Sequence, residues 1–306
     1  MNRKIIGIPK AFQYYRYHIL WENFFTNLGY KVTTSNNTTN ETIELGKNYS
    51  IDESCLSSKI YMGHVASLKD KCDYILIPRI ENYGQKEKVC VKFNATYDLV
   101  KNLFEDYQIL DYNIEKTKHY SEFLGLIKLG FKLNKNPLKV LKSYYLAKKQ
   151  ETKHNKDRWL EQAKVIASVK PKILIVSHPY NIYDNYIGTP IIDKLKSLGI
   201  DIVYADKLNP KTAKLYAHPL SPTLYWTYSK ELIGSINYYQ YAVDGILFLT
   251  AFPCGPDSLV NELMLRKITD IPMTNILIDE LTTDTGLDTR LESFIDIIKE
   301  RKEPYE

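Results

Sequence analysis

The sequence predicts an α/β protein made of two similar Rossmann-like domains with parallel sheets, joined by an all-helical connector. Three observations carry this. Short apolar runs alternate with helix-length amphipathic segments in both halves of the chain. The second half repeats the punctuation of the first, and between them, over about 118–168, no strand pattern survives. A chain of 306 residues is long enough for two domains, each with its own core. The domains are expected at 1–117 and 169–306, with the connector at 118–168.

Residues 4–8 read as a first strand that leads through Pro9 into a helix over 14–28, where Leu20, Phe24 and Leu28 share one stripe. Gly29 closes that helix and 30–34 is a strand. Helices follow over 41–46 and 55–68. The compact apolar run 74–78 has the character of a parallel strand covered on both faces. A helix over 94–104 and a strand at 108–110 complete the first domain. The connector reads as helices over 120–133 and 138–169, with Asn136-Pro137 marking the second start. A helix of about 30 residues spans roughly 45 Å. In the second half, strands are expected at 172–176, 201–204, 245–250 and 273–278. Helices are expected at 189–198, 229–240, 258–267 and 290–302.

The halves read as diverged copies. Ile6-Gly7-Ile8-Pro9, a Tyr-rich turn, a helix and Leu28-Gly29-Tyr30 parallel Ile175-Val176-Ser177-His178-Pro179, a Tyr-rich turn, a helix and Leu198-Gly199-Ile200. Cys72-Asp73-Tyr74-Ile75-Leu76 likewise parallels Val243-Asp244-Gly245-Ile246-Leu247. Such a repeat argues for two similar domains.

Composition removes several classes of function. Apolar residues make up 44% and charged residues 25%, as in ordinary globular proteins. No apolar run reaches the length of about 18 residues that a membrane span needs. The N-terminus lacks a signal-peptide core, so a cytoplasmic chain is expected. The net charge of +5 comes from dispersed lysines without an interleaved aromatic stripe, which argues against nucleic-acid binding. No Walker A pattern is present, so the chain is not expected to hydrolyse ATP.

Cys55, Cys72, Cys90 and Cys254 lack CxxC spacing, which excludes a zinc ribbon or ferredoxin run. In open α/β sheets, sites form beyond the carboxyl ends of strands. Cys90 and Cys254 both follow such ends in corresponding parts of the two halves. Cys55 sits at another helix start, whereas Cys72 precedes a strand and lies at its amino end. If the domains face each other, the three thiols meet in the cleft. Three soft thiolates suit an iron–sulfur cluster or zinc, and the competing reading is that the cysteines are small buried hydrophobes.

The chain also resembles the acyl-CoA dehydratase activase-related proteins of the 2-hydroxyacyl-CoA dehydratase and benzoyl-CoA reductase superfamily, over nearly its whole length. The anchors are Gly7-Ile8-Pro9-Lys10-Ala11, Trp21-Glu22-Asn23-Phe24-Phe25, Asp52-Glu53-Ser54-Cys55 with Lys59, Gly63-His64-Val65, Val89-Cys90-Val91-Lys92-Phe93, His178-Pro179-Tyr180 and Phe252-Pro253-Cys254-Gly255-Pro256-Asp257-Ser258. The resemblance implies a [4Fe–4S] cluster on Cys55, Cys90 and Cys254, with Cys72 matching no family cysteine. It further implies a separate ATP-dependent activator that passes a low-potential electron, an acyl-CoA-like small substrate and pairing into a homodimer. The chain departs from the family pattern in lacking the proline after Cys90 and the histidine of the acidic loop at 279–284.

His178 follows a strand end and is a candidate catalytic residue. Lys59, one helical turn after Cys55, is a candidate for neutralising a reduced cluster or binding a carboxylate, against a plain surface lysine. Ser258 is a candidate ligand, although Asp257 and Ser258 are most simply read as helix caps. His64 is read as packing within its helix more than as an acid. The leading expectation is low-potential electron transfer or reductive chemistry; the alternatives are a non-catalytic cluster carrier and a three-cysteine zinc protein.

Overall fold

The computed structural model describes residues 3–280 and 284–301. Two compact units are present, residues 1–156 with 225–227, and residues 157–224 with 228–306. Each is built on a four-stranded, all-parallel sheet flanked by helices.

In the first unit the strands β1 (Ile5–Ile8), β2 (Lys31–Thr34), β3 (Tyr74–Asn82) and β4 (Ile109–Glu115) take the order β2-β1-β3-β4. Helix α1 (Tyr14–Leu28) connects the first two strands, α2 (Asn40–Lys47) and α3 (Leu56–Ser67) the next two, and α4 (Val91–Leu103) the last two. Helix α1 buries Leu20, Trp21, Phe24, Phe25 and Leu28 at spacings of three and four, the stripe that the sequence displays. Helices α5 (Glu122–Leu133) and α6 (Pro137–Ile166) follow, and the boundary between the units, at Lys156 and Asp157, falls inside α6.

The second unit repeats the plan. Strands β5 (Lys172–Val176), β6 (Asp201–Tyr204), β7 (Gly245–Ala251) and β8 (Met273–Ile278) take the order β6-β5-β7-β8. They are connected through α7 (Pro179–Ile182), α8 (Gly188–Ser197), α9 (Pro210–Ala217), α10 (Thr227–Tyr239) and α11 (Gly255–Lys267), and α12 (Asp284–Glu300) follows β8. The fully buried strand β7 packs into a core with Leu174, Val203, Ile233, Ile236 and Met264.

The internal repeat extends to individual hydrogen bonds. The Asp73 carboxylate accepts from the Ile5 amide at 2.6 Å, and Asp244 accepts from Lys172 at 2.7 Å, each fixing the start of the first strand of its unit. Gly29 (φ 101°) and Gly199 (φ 83°) end the equivalent helices α1 and α8 in the left-handed region, where a side chain would be strained. The strand registers equate Ile6 with Ile173, through Tyr74 and Gly245, so Pro9 corresponds to Val176 and not to Pro179.

Two strands run further than their apolar cores predict. β3 continues past Pro78 to Asn82, and β4 continues to Glu115. β1 pairs with β3 only at Tyr74 and Ile75, so the amide missing at Pro78 costs no ladder bond on that side. On β4 the residues Leu110, Tyr112 and Ile114 are buried in alternation with Asp111, Asn113 and Glu115, the pattern of a half-covered strand. Helix α9, capped by the Asn209 side chain on the Lys211 amide at 2.9 Å, adds to the helices that the sequence predicts. The acidic loop read at 279–284 lies partly outside the described residues, as does residue 302 of the expected closing helix.

Candidate functional site

Cys55 and Cys90 lie in the first unit, and each is the residue immediately before a helix: Cys55 caps α3 and Cys90 caps α4, both with extended backbone. Neither helix has an acidic residue in its first turn, so the positive end of each helix faces its cysteine without a competing carboxylate side chain. The two caps are tied together, because Lys92 of α4 donates from Nζ to Ser54 Oγ at 3.1 Å, joining the residues beside Cys90 and Cys55. Phe12, in the loop after β1, reinforces this tie. Its ring stacks on Tyr61 of α3 and meets Phe93 of α4 edge-on, both at 5.0 Å. That packing holds Phe12 at φ 48°, a left-handed conformation that a phenylalanine adopts only under tertiary constraint.

Helix α3 is buried from Leu56 through Val65, polar residues included. Lys59 is among them, at 5% exposure, so it is not a surface lysine. His64 does not pack within its own helix alone. Its Nδ1 meets Ser35 Oγ at 2.8 Å and its Nε2 meets Thr38 Oγ1 at 2.9 Å, fastening α3 to the loop after β2. Burial, helped by Lys10, pushes the imidazole pKa down to about 4.

In the second unit Cys254 caps α11, immediately after β7 and the cis peptide Phe252–Pro253. His178 stands after β5, which is hydrogen-bonded to β7, and so belongs to the same end of the sheet. Its Nε2 lies 2.8 Å from Oδ1 of Asp257, and both side chains are only 7% exposed. Burial by itself raises the Asp257 carboxyl, but His178 and the Cys254 thiol outweigh it and hold the group below its ordinary value. Asp257 is therefore the partner of His178 and Cys254. Tyr180 stacks on the His178 ring at 5.1 Å. Ser258 is exposed, and its hydroxyl donates to the Cys254 carbonyl at 2.8 Å.

Cys72 lies elsewhere. It precedes β3 at the amino end of the strand, and its thiol points to the Leu68 carbonyl at 3.6 Å while packing on Gly7. Burial pushes this thiol up, away from the thiolate form. Among the described residues, no three His, Cys, Asp or Glu side chains are gathered so as to hold a metal ion. Cys55 and Cys90 belong to the first unit and Cys254 to the second. As a donor set, three thiols at helix N-termini are the soft ligands that iron–sulfur clusters take, although only Cys55 and Cys90 head helices with no acidic residue in the first turn.

The pairing of His178 with Asp257 could not be read from the sequence. The two are 79 residues apart, and an aspartate at the third position of a helix looks like a local cap.

Fold and site together define a duplicated, Rossmann-like α/β protein in which helices α3, α4 and α11 are each preceded by a cysteine. No helix among the described residues is long and apolar enough to cross a membrane. Residues 5–208 match the profile of the family described as CoA enzyme activase uncharacterised domain (DUF2229), and the chain belongs to this family. The matched region covers the whole sheet of the first unit and reaches β6 of the second. No curated protein matches the chain.

Proposed function

We propose that the chain is an iron–sulfur protein of CoA-enzyme activation, with one [4Fe–4S] cluster on Cys55, Cys90 and Cys254. The observation that carries this reading is positional. These three cysteines each occupy the residue before a helix, while Cys72 is packed against Gly7 at the other end of its strand. The reading requires Cys254 to join the other two thiols from the second unit. When bound, the cluster would supply a reversible store for one low-potential electron and, with one iron lacking a cysteine, a Lewis-acid position.

The chain's own residues have supporting roles. Lys92 and Phe12 hold the Cys55 and Cys90 caps together. Asp257 orients His178, which would face a small acyl-CoA-like substrate. Lys59 would place its buried side chain one turn behind Cys55. The electron would come from a separate ATP-dependent activator, and the acceptor would be a CoA-linked dehydratase or reductase reaction.

Anaerobic reconstitution tests this directly. The full chain is expected to bind about four irons with a broad visible absorbance and an EPR signal on reduction. Cys55→Ala, Cys90→Ala and Cys254→Ala should each lose most of that iron, and Cys72→Ala should retain it. A colourless, iron-free product overturns the reading. Stoichiometric zinc without visible absorbance replaces it with a three-cysteine zinc protein.

A further inference from the structure

We propose that Tyr225–Thr227 is a strap that positions the Cys90 loop, with Thr227 as its key residue. The proposal rests on the reading of Cys90 as a cluster ligand.

After β3 the chain turns back on itself ahead of Cys90. Asn82 and Lys88 form an antiparallel bridge, and the Tyr83 amide donates to the Glu87 carbonyl at 2.8 Å. The Glu87 amide donates to Gly84 at 3.1 Å, where Gly84 takes φ 155° to make the reversal. The Val89 amide reaches back to the Glu81 carbonyl at 3.3 Å. A two-stranded hairpin of this size is marginal by itself.

A third strand completes it, and that strand comes from far along the chain. The Lys88 amide donates to the Tyr225 carbonyl at 2.9 Å, and the Thr227 amide donates to the Lys88 carbonyl at 2.8 Å, with Trp226 bridged in parallel to Lys88. The Thr227 hydroxyl adds a bond to Glu87 Oε2 at 3.0 Å. Thr227 is 1% exposed. These residues count with the first unit, although their chain neighbours on both sides, Leu224 and Tyr228, belong to the second. Both backbone groups of Lys88, two residues before Cys90, are thus fixed by the strap. Partners of a ligand loop orient the ligand, so loss of the strap should free the Cys90 thiol in particular.

Thr227 also opens α10, and this makes a selective probe available. Proline is tolerated at the first position of a helix, and the extended Trp226 suits a residue before proline. Thr227→Pro therefore deletes the amide and hydroxyl bonds of the strap while leaving α10 intact. In the metal-free, full-length chain, alkylation of Cys90 by iodoacetamide should speed up about tenfold, on the scale of two lost hydrogen bonds. Cys55 and Cys72 in the same sample should react at their original rates. Hydrogen exchange at the Lys88 and Val89 amides should rise in parallel, and Thr227→Ser, which keeps both donors, should behave as the wild type. An unchanged Cys90 rate overturns the proposal, and so does an equal acceleration of Cys55 and Cys90. Because the thiol is read without metal, a chain that binds no iron would overturn the cluster reading and leave this result standing.

Discussion

Acidification from pH 7 to pH 4.5 is expected to cost the first unit about 2.5 kcal/mol through His64 alone. The imidazole is buried between Ser35 and Thr38, and its folded pKa lies near 4 against an ordinary value of 6.5. Between those values the unfolded chain takes up a proton that the folded chain refuses. Stability contributed by the neutral ring is complete above about pH 6.5, falls as the pH drops through that value and levels off below about pH 4. Charging the ring in place would leave a cation against Lys10, which already helps to depress its pKa. Urea titrations at a series of pH values check this, with the slope of stability against pH as the readout. His64→Gln keeps a polar side chain of similar reach and should flatten the slope over that window. An unchanged slope in that variant would show that another group carries the acid sensitivity.

Gly63→Ala should destabilise the same unit by about 3 kcal/mol, at the upper end of what overpacking usually costs. Helices α2 and α3 cross on two glycines. A Cβ at Gly63 would lie 1.9 Å from the Thr42 carbonyl oxygen, and one at Gly46 would lie 1.9 Å from the Lys59 carbonyl oxygen. The obstacle in each case is backbone, so no rotamer change relieves it and the helices must separate. Separation would disturb α3, the buried helix that carries Cys55, Lys59 and His64. Gly286→Ala, inside α12, provides the contrast, since a Cβ there meets nothing within 4 Å. At that helical position alanine is expected to be neutral or to stabilise by up to about 1 kcal/mol. A lowered denaturant midpoint for the first variant and an unchanged or raised one for the second, at constant slope, would check the pair.

Much of the fold is legible in the chain because its strands are short apolar runs closed by glycine, proline or a polar pair. β5, β6 and β8 begin and end at the expected residues for that reason. β3 and β4 extend beyond their apolar runs into alternation, since half-covered strand ends carry polar residues such as Arg79 and Asp111. The cysteines could be placed at helix starts because each stands at a junction between two periodicities. The groups around them could not be placed. Asp257 meets His178, Lys92 meets Ser54 and Thr227 meets Lys88 only through the tertiary fold. Such contacts leave no periodic trace in a single sequence. Lys59 illustrates the same limit, because a lysine on a helix reads as solvated until the helix proves to be covered on every side.

The strap at Tyr225–Thr227 also has a consequence in time. During synthesis the residues around Cys90 leave the ribosome more than a hundred residues ahead of the segment that completes their hairpin. At ordinary elongation rates that interval is on the order of ten seconds. Throughout it the nascent first unit carries an unfinished edge beside the Cys90 thiol. A fragment ending near Lys156, although it contains the whole first sheet, would remain in that unfinished state permanently.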